Sequence, residues 1–82
     1  MKRKKLIELR EKRNLTQKAV VNKLKKQYDV NITASFYGMI ERGERNPTLK
    51  LAKKIADFFN TSVEEIFFSS ANNSMLNNEN TA

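Results

Sequence analysis

The chain has 82 residues, neither Cys nor His nor Trp, and a formal charge of +7. That length bounds it to one small domain with a single core and leaves no room for a large buried active site. With no Cys or His there is no disulfide framework, no thiolate metal site and no nucleophile–base pair, so an enzyme is excluded and neither metal nor cofactor is expected.

The elements follow in chain order. Leu6, Ile7, Leu9 and Arg10 give residues 4–13 a helical period, which Asn14 breaks. Thr16 is the expected N-cap of a second helix, with Val20, Val21 and Leu24 spaced behind it. Residues 28–32, Tyr-Asp-Val-Asn-Ile, read as a loop. Thr33 caps a third helix and Gly43 is a left-handed stop for it. Glu44, Arg45, Asn46 and Pro47 form a turn, because Pro47 pushes Asn46 out of helical conformation.

Thr48 caps a fourth helix carrying Leu49, Leu51, Ala52, Ile55, Ala56 and Phe59, which Asn60 and Thr61 interrupt. Ser62 followed three residues later by Glu65 is a capping box, opening a short fifth helix that ends near Phe67. Residues 69–82 are rich in Asn and Ser, with Met75 and Leu76 isolated among them. They cannot bury enough apolar surface to fold alone and are expected to be a disordered tail after a domain of residues 1–68. No strand pattern and no repeat is visible, so the fold class is all-α. No apolar run approaches the length of a membrane span or a signal sequence, so a cytoplasmic location away from any membrane is expected.

The charge is unevenly placed. Residues 1–26 carry net +9, residues 27–54 net +2 and residues 55–82 net −4. A basic front half suits a polyanion, although a lysine-rich solvated surface reads the same way.

The third helix has two kinds of residue. At roughly 100° per residue, Ile32, Phe36, Met39 and Ile40 cluster as a core side with Tyr37 on the flank. Ala34, Gly38 and Arg42 make an opposite stripe, with Ser35 beside it and Glu41 at the edge. Small residues are poor choices for a plain surface helix, and Gly costs about 1 kcal/mol against Ala. The strip either enters a groove, lets another helix pack closely, or is neutral surface.

The blocks LREKRNLTQ (9–17), VVNKL (20–24), FYGMIERGERNPTL (36–49) and SVEEIF (62–67) together resemble the Cro/C1-type helix-turn-helix domain of phage and plasmid repressors, the XRE family. The resemblance covers about residues 4–68. It implies a compact five-helix, lambda-repressor-like domain, with helices two and three as the helix-turn-helix and helix three as the recognition helix. It implies that Gln17 faces a phosphate or helps position a side chain of helix three. It also implies a buried ion pair between Arg10 and Glu41. The sequence departs from the pattern in one place. The usual Gly after the position of Leu24 is missing, and the connection to helix three is longer by roughly six residues.

Read this way, helix three lies in the major groove of double-stranded DNA and helix two crosses the backbone. Ala34, Ser35, Gly38 and Met39 are the expected base contacts. Gln17, Lys18, Thr33, Arg42, Arg45, Asn46 and Thr48 are the expected phosphate contacts. The Lys-rich start of the chain, residues 2–5, is either an arm reaching DNA or a solvated end. Lys23, Lys25 and Lys26 are either a distal backbone contact or a soluble helix face. Phe58, Phe67 and Phe68 are more often core than interface residues, but three in so small a rear end is generous, and they are the expected homodimer interface, formed by Phe68 and one neighbour.

The function expected is a sequence-specific transcriptional regulator, a repressor binding operator DNA as a homodimer. The alternative is a DNA-binding antitoxin whose acidic C-terminal part also grips a toxin protein. A protein-interaction module without DNA binding is a third reading. No small-molecule ligand is evident.

Overall fold

The computed structural model describes residues 2–68. The Asn- and Ser-rich tail and the protein-gripping role weighed for it lie outside the described residues. Four α-helices, α1 (Lys4–Lys12), α2 (Gln17–Tyr28), α3 (Ala34–Glu41) and α4 (Leu49–Phe58), are followed by a short element, α5 (Glu64–Phe68), wound with π rather than α spacing.

The helix starts follow from local chemistry. The hydroxyls of Thr16, Thr33 and Thr48 accept the N–H of Ala19, Phe36 and Leu51 at 3.0, 2.9 and 3.1 Å. Ser62 Oγ accepts from Glu65 N at 3.1 Å. Each satisfies a donor that the first helical turn leaves without a partner, and is worth about 1 kcal/mol. The stops share one device. Asn14, Asp29, Gly43 and Asn60, which follow α1 to α4 in turn, all have left-handed φ values, between 56° and 77°. Three of the four are Asn or Asp, the side chains that best tolerate that region after Gly.

Asp29 replaces the turn glycine that the sequence lacks. It ends α2 with φ 56°, and the next residue, Val30, donates its N–H back to Leu24 O at 3.3 Å and buries its side chain at 6% exposure. Lys54 Nζ donates to Tyr28 O at 3.2 Å from the α4 side. The long connection is therefore taken up by α2 running on to Tyr28, followed by an anchored link.

The core draws Leu6 from α1, Val20 and Leu24 from α2, Tyr37 and Ile40 from α3, Ile55, Ala56 and Phe58 from α4, Phe59 just after it, and Ile66 from α5. Phe58 and Phe59 meet edge to face with ring centroids 4.8 Å apart. The Arg13 guanidinium lies over both rings and donates to Phe58 O at 2.9 Å. Phe58, expected at a dimer interface, is thus a core residue at 7% exposure. Its ring packs edge to face on Phe59 beneath Arg13, so it belongs to the core rather than to an exposed face.

Candidate nucleic-acid interface

One carboxylate ties three helices together. Glu41, the last residue of α3, is 2% exposed. Arg10 of α1 donates to it through Nε (2.6 Å) and Nη2 (3.1 Å), and Gln17 of α2 donates through Nε2 (2.9 Å). The remaining Arg10 terminal nitrogen donates to Leu15 O at 2.8 Å, in the link between α1 and α2. A buried carboxylate with three donors is satisfied, which is the condition for such a pair to be tolerated inside a core. The bond to Glu41 raises the Arg10 pKa above its ordinary value. Beside them the Tyr37 hydroxyl is buried and meets no partner of good hydrogen-bond geometry. Burial first, and the Glu41 charge second, push that phenol well above its ordinary range.

This network sets the phase of α3. Tyr37, Ile40 and Glu41 point inward, and Gly38 is buried against α2. A β-carbon on Gly38 would stand 3.1 Å from Gln17 Oε1 and 3.2 Å from Arg42 Nη1. Gly38 is therefore where α2 and α3 approach, not part of an open strip facing a groove. Tyr37 is likewise fully buried rather than on a flank, while Phe36 and Met39 are only half-buried. The outward line is Ser35, Met39 and Arg42, at i, i+4 and i+7. Ala34 lies beside it, half-buried. Ranked by hydrophobicity alone, the helical period puts Met39 inside and Glu41 at the edge. Burial of the charged pair turns the helix the other way.

The turn after α3 is exposed at Arg42, Glu44, Arg45 and Asn46. Arg42 Nε and Nη2 donate to the Glu44 carboxylate at 3.0 and 3.3 Å. Each partner holds the other charged: the Arg42 pKa is raised and that of Glu44 lowered. Lys18 is exposed in the first turn of α2. Thr33 and Thr48 stand at helix starts with their oxygens already accepting cap bonds, which leaves the hydroxyl hydrogen to offer.

Sequence reasoning missed Arg3. Its guanidinium donates to Asn46 Oδ1 at 2.5 Å and to main-chain oxygens of α3 and the turn. Nothing local in a run of four cations marks one of them, because its partners are 37 to 43 residues away. At that end of the molecule, Leu49 (62%) and Phe68 (66%) are large exposed hydrophobics. With Val63, Phe67 and Pro47 they line an open groove of about 320 Å³. Phe67 is half-buried beneath Arg3, so of the three expected interface phenylalanines Phe68 is the exposed one.

Two helices, α2 and α3, linked by the connection through Asp29 and meeting at Gly38, define the helix-turn-helix class. Residues 6–66 match the helix-turn-helix family, and the chain belongs to it, as a member of the Cro/C1 type. It is similar to an uncharacterized HTH-type transcriptional regulator of Archaeoglobus fulgidus, 37% identical over 65 residues that cover 79% of this chain and 83% of the relative. It is also similar to an uncharacterized HTH-type transcriptional regulator of Methanocaldococcus jannaschii, 41% identical over 54 residues, 66% of this chain and 73% of that one. No solved structure matches the chain. Among the described residues, no helix is long and apolar enough to cross a membrane and no acidic cluster is arranged to hold a metal ion.

Proposed function

We propose that this protein is a sequence-specific transcription regulator that represses by binding operator DNA as a homodimer, with α3 in the major groove. The observation that carries the reading is the outward line of exposed Ser35, half-buried Met39 and exposed Arg42 on a helix whose opposite side is locked to α1 and α2 through Glu41. Ser35 offers a hydroxyl, and Met39 and Ala34 offer apolar contact to a thymine methyl. Gly38 serves the interface only indirectly, by letting α2 come close.

Backbone contacts come from Lys18, Arg42, Arg45 and Asn46, with the hydroxyls of Thr33 and Thr48 at helix starts. Gln17 is committed to Glu41 through its nitrogen, so its contribution to phosphate binding is secondary to holding α2 on α3. None of these contacts is a bidentate Arg–guanine or Gln–adenine pair, so DNA shape carries a large share of the selectivity. The exposed pair Leu49 and Phe68, with Phe67 between them and the core, is the surface that favours a second copy of the chain. Two copies would place two recognition helices about one DNA turn apart.

The test is selection of duplexes from a random library, followed by titration of a fluorescent selected duplex and a scrambled one at several salt concentrations. A clear preference for the selected duplex with a steep salt dependence is expected. Equal, weak binding of both at physiological salt removes the regulator reading.

A further inference from the structure

Resting on the DNA-binding reading, we propose that Arg3 is the positioning residue for the turn after α3, holding Arg45 and Asn46 where they meet the DNA backbone together with the recognition helix. A single guanidinium spans both ends of that turn. Nη1 donates to Ile40 O at 2.6 Å, in the last turn of α3, and to Arg45 O at 3.0 Å, beyond it. Nη2 donates to Asn46 Oδ1 at 2.5 Å. The main-chain N–H of Arg3 adds a bond to Glu41 O at 2.7 Å. The ring of Phe67 lies 5.1 Å beneath the guanidinium and fixes its plane.

The turn's own backbone bonds all run back to α3, from the N–H groups of residues 42 to 45. Glu44 N and Arg45 N both donate to the same carbonyl, Met39 O, at 2.9 and 3.3 Å. Gly43 N reaches Ile40 O at 3.1 Å with φ at 77°. Pro47 has no N–H to contribute. Arg3 ties the far end of the turn back: its main-chain N–H satisfies Glu41 O, and its guanidinium gives Ile40 O a second donor besides Gly43 N.

Arg3 does this with its charge turned inward, onto carbonyl oxygens, so it is not itself an arm reaching for phosphate. A lysine cannot copy the arrangement, because one ammonium nitrogen does not present donors to three acceptors spread across a plane. Orienting Asn46 through Oδ1 leaves its NH₂ group as the end that faces a phosphate.

The experiment compares the wild type with Arg3→Lys and Arg3→Gln. Fluorescence titration of a library-selected duplex at several salt concentrations is paired with amide hydrogen exchange of residues 42–46 in the free protein, both at a temperature where circular dichroism shows each variant folded. Both variants are expected to lose affinity roughly tenfold, the order of one hydrogen bond to a charged group. Both should exchange Glu44 and Arg45 amides faster while core amides of α4 are unchanged. Restored affinity in Arg3→Lys, with Arg3→Gln lowering the salt slope by about one, would identify a direct phosphate contact and overturn the proposal. Unchanged binding in both variants overturns it as well. A wild type with no preference for the selected duplex defeats the DNA reading itself; the exchange difference is independent of DNA and separates the two failures.

Discussion

Gln17 lies across Gly38. Its side-chain oxygen occupies the space beside the missing β-carbon, 3.1 Å from where one would sit, while its nitrogen donates to Glu41 at 2.9 Å. One glutamine therefore closes the gap between α2 and α3 and ties both to the buried carboxylate.

Substitution of Gly38 tests that contact. The atoms a methyl group would meet are the ends of two flexible side chains, Gln17 and Arg42, so Gly38→Ala is accommodated by small shifts. Its better helix propensity offsets the crowding, and the melting temperature should move by no more than about 5 °C. Gly38→Glu must displace Gln17 altogether. A fall in melting temperature greater than about 5 °C is expected, with loss of DNA binding following from it. Thermal melts of the two variants, read side by side, check the contrast; equal melts would show that α2 and α3 do not meet here.

The Arg10–Glu41 pair should be asymmetric under mutation. Arg10→Ala leaves a carboxylate at 2% exposure without its principal donor. Breaking a buried pair from one side costs about 3–5 kcal/mol, enough to lower the melting temperature of a domain this size by more than about 10 °C. Arg10→Met combined with Glu41→Leu removes both charges and should recover at least half of the loss. Urea denaturation of both variants measures this, and an unchanged Arg10→Ala midpoint would mean that the pair contributes nothing.

If Arg42 meets phosphate as proposed, Glu44 competes with DNA for it. The pair is exposed, so removing it should leave the melting temperature unaltered. Glu44→Gln also removes a negative charge from the face that meets phosphate. Affinity for a selected duplex is expected to rise about fivefold at low salt and by less as salt screens the effect. A titration series across salt decides it, and unchanged binding by Glu44→Gln would place the turn away from the duplex.

Backbone and base contacts separate by their signatures. Lys18→Ala and Arg45→Ala should each lower the salt slope by about one, with the preference for selected over scrambled DNA retained. Ser35→Ala and Met39→Ala should leave the slope alone and change which duplexes are selected. Repeating the library selection with each variant is the readout.

Phe68 is the exposed aromatic of the groove beside Leu49. Phe68→Asp should convert a dimer into a monomer by light scattering without lowering the melting temperature measured at high dilution, since the ring is two-thirds solvent-exposed, at 66%. A wild type that is monomeric at all concentrations, or a variant that still dimerises, removes this surface from the assembly.

Helix boundaries were legible because their signals are local. Thr16, Thr33, Thr48 and Ser62 each cap a donor three residues away, a relation visible in the sequence itself. Gly43 announced its stop, whereas Asp29 and Asn60 did so weakly, since an Asp or Asn in left-handed conformation looks like any polar loop residue. The hydrophobic period alone does not give the phase of α3, because the phase depends on a charge drawn inward by partners 24 and 31 residues away; the family resemblance, which implies the buried Arg10–Glu41 pair, carries that information. Met39 and Phe36 look more interior than Glu41 until those partners are known. Phe58 and Phe68 illustrate the same limit, being identical residues in one apolar rear segment. Only the stacking of Arg13 and the packing of Phe59 separate the buried ring from the exposed one.

Glu41 has a consequence for how recognition is shared between the two molecules. Because one carboxylate holds Arg10, Gln17 and the end of α3 at once, the angle between the recognition helix and its support is preset before DNA arrives. Tilting α3 to improve one base contact would expose an unpaired charge inside the core. On the proposed docking, the protein would meet its site as a template, and accommodation would fall to the duplex. Base steps that bend or narrow readily are favoured for that reason, including steps that no side chain touches.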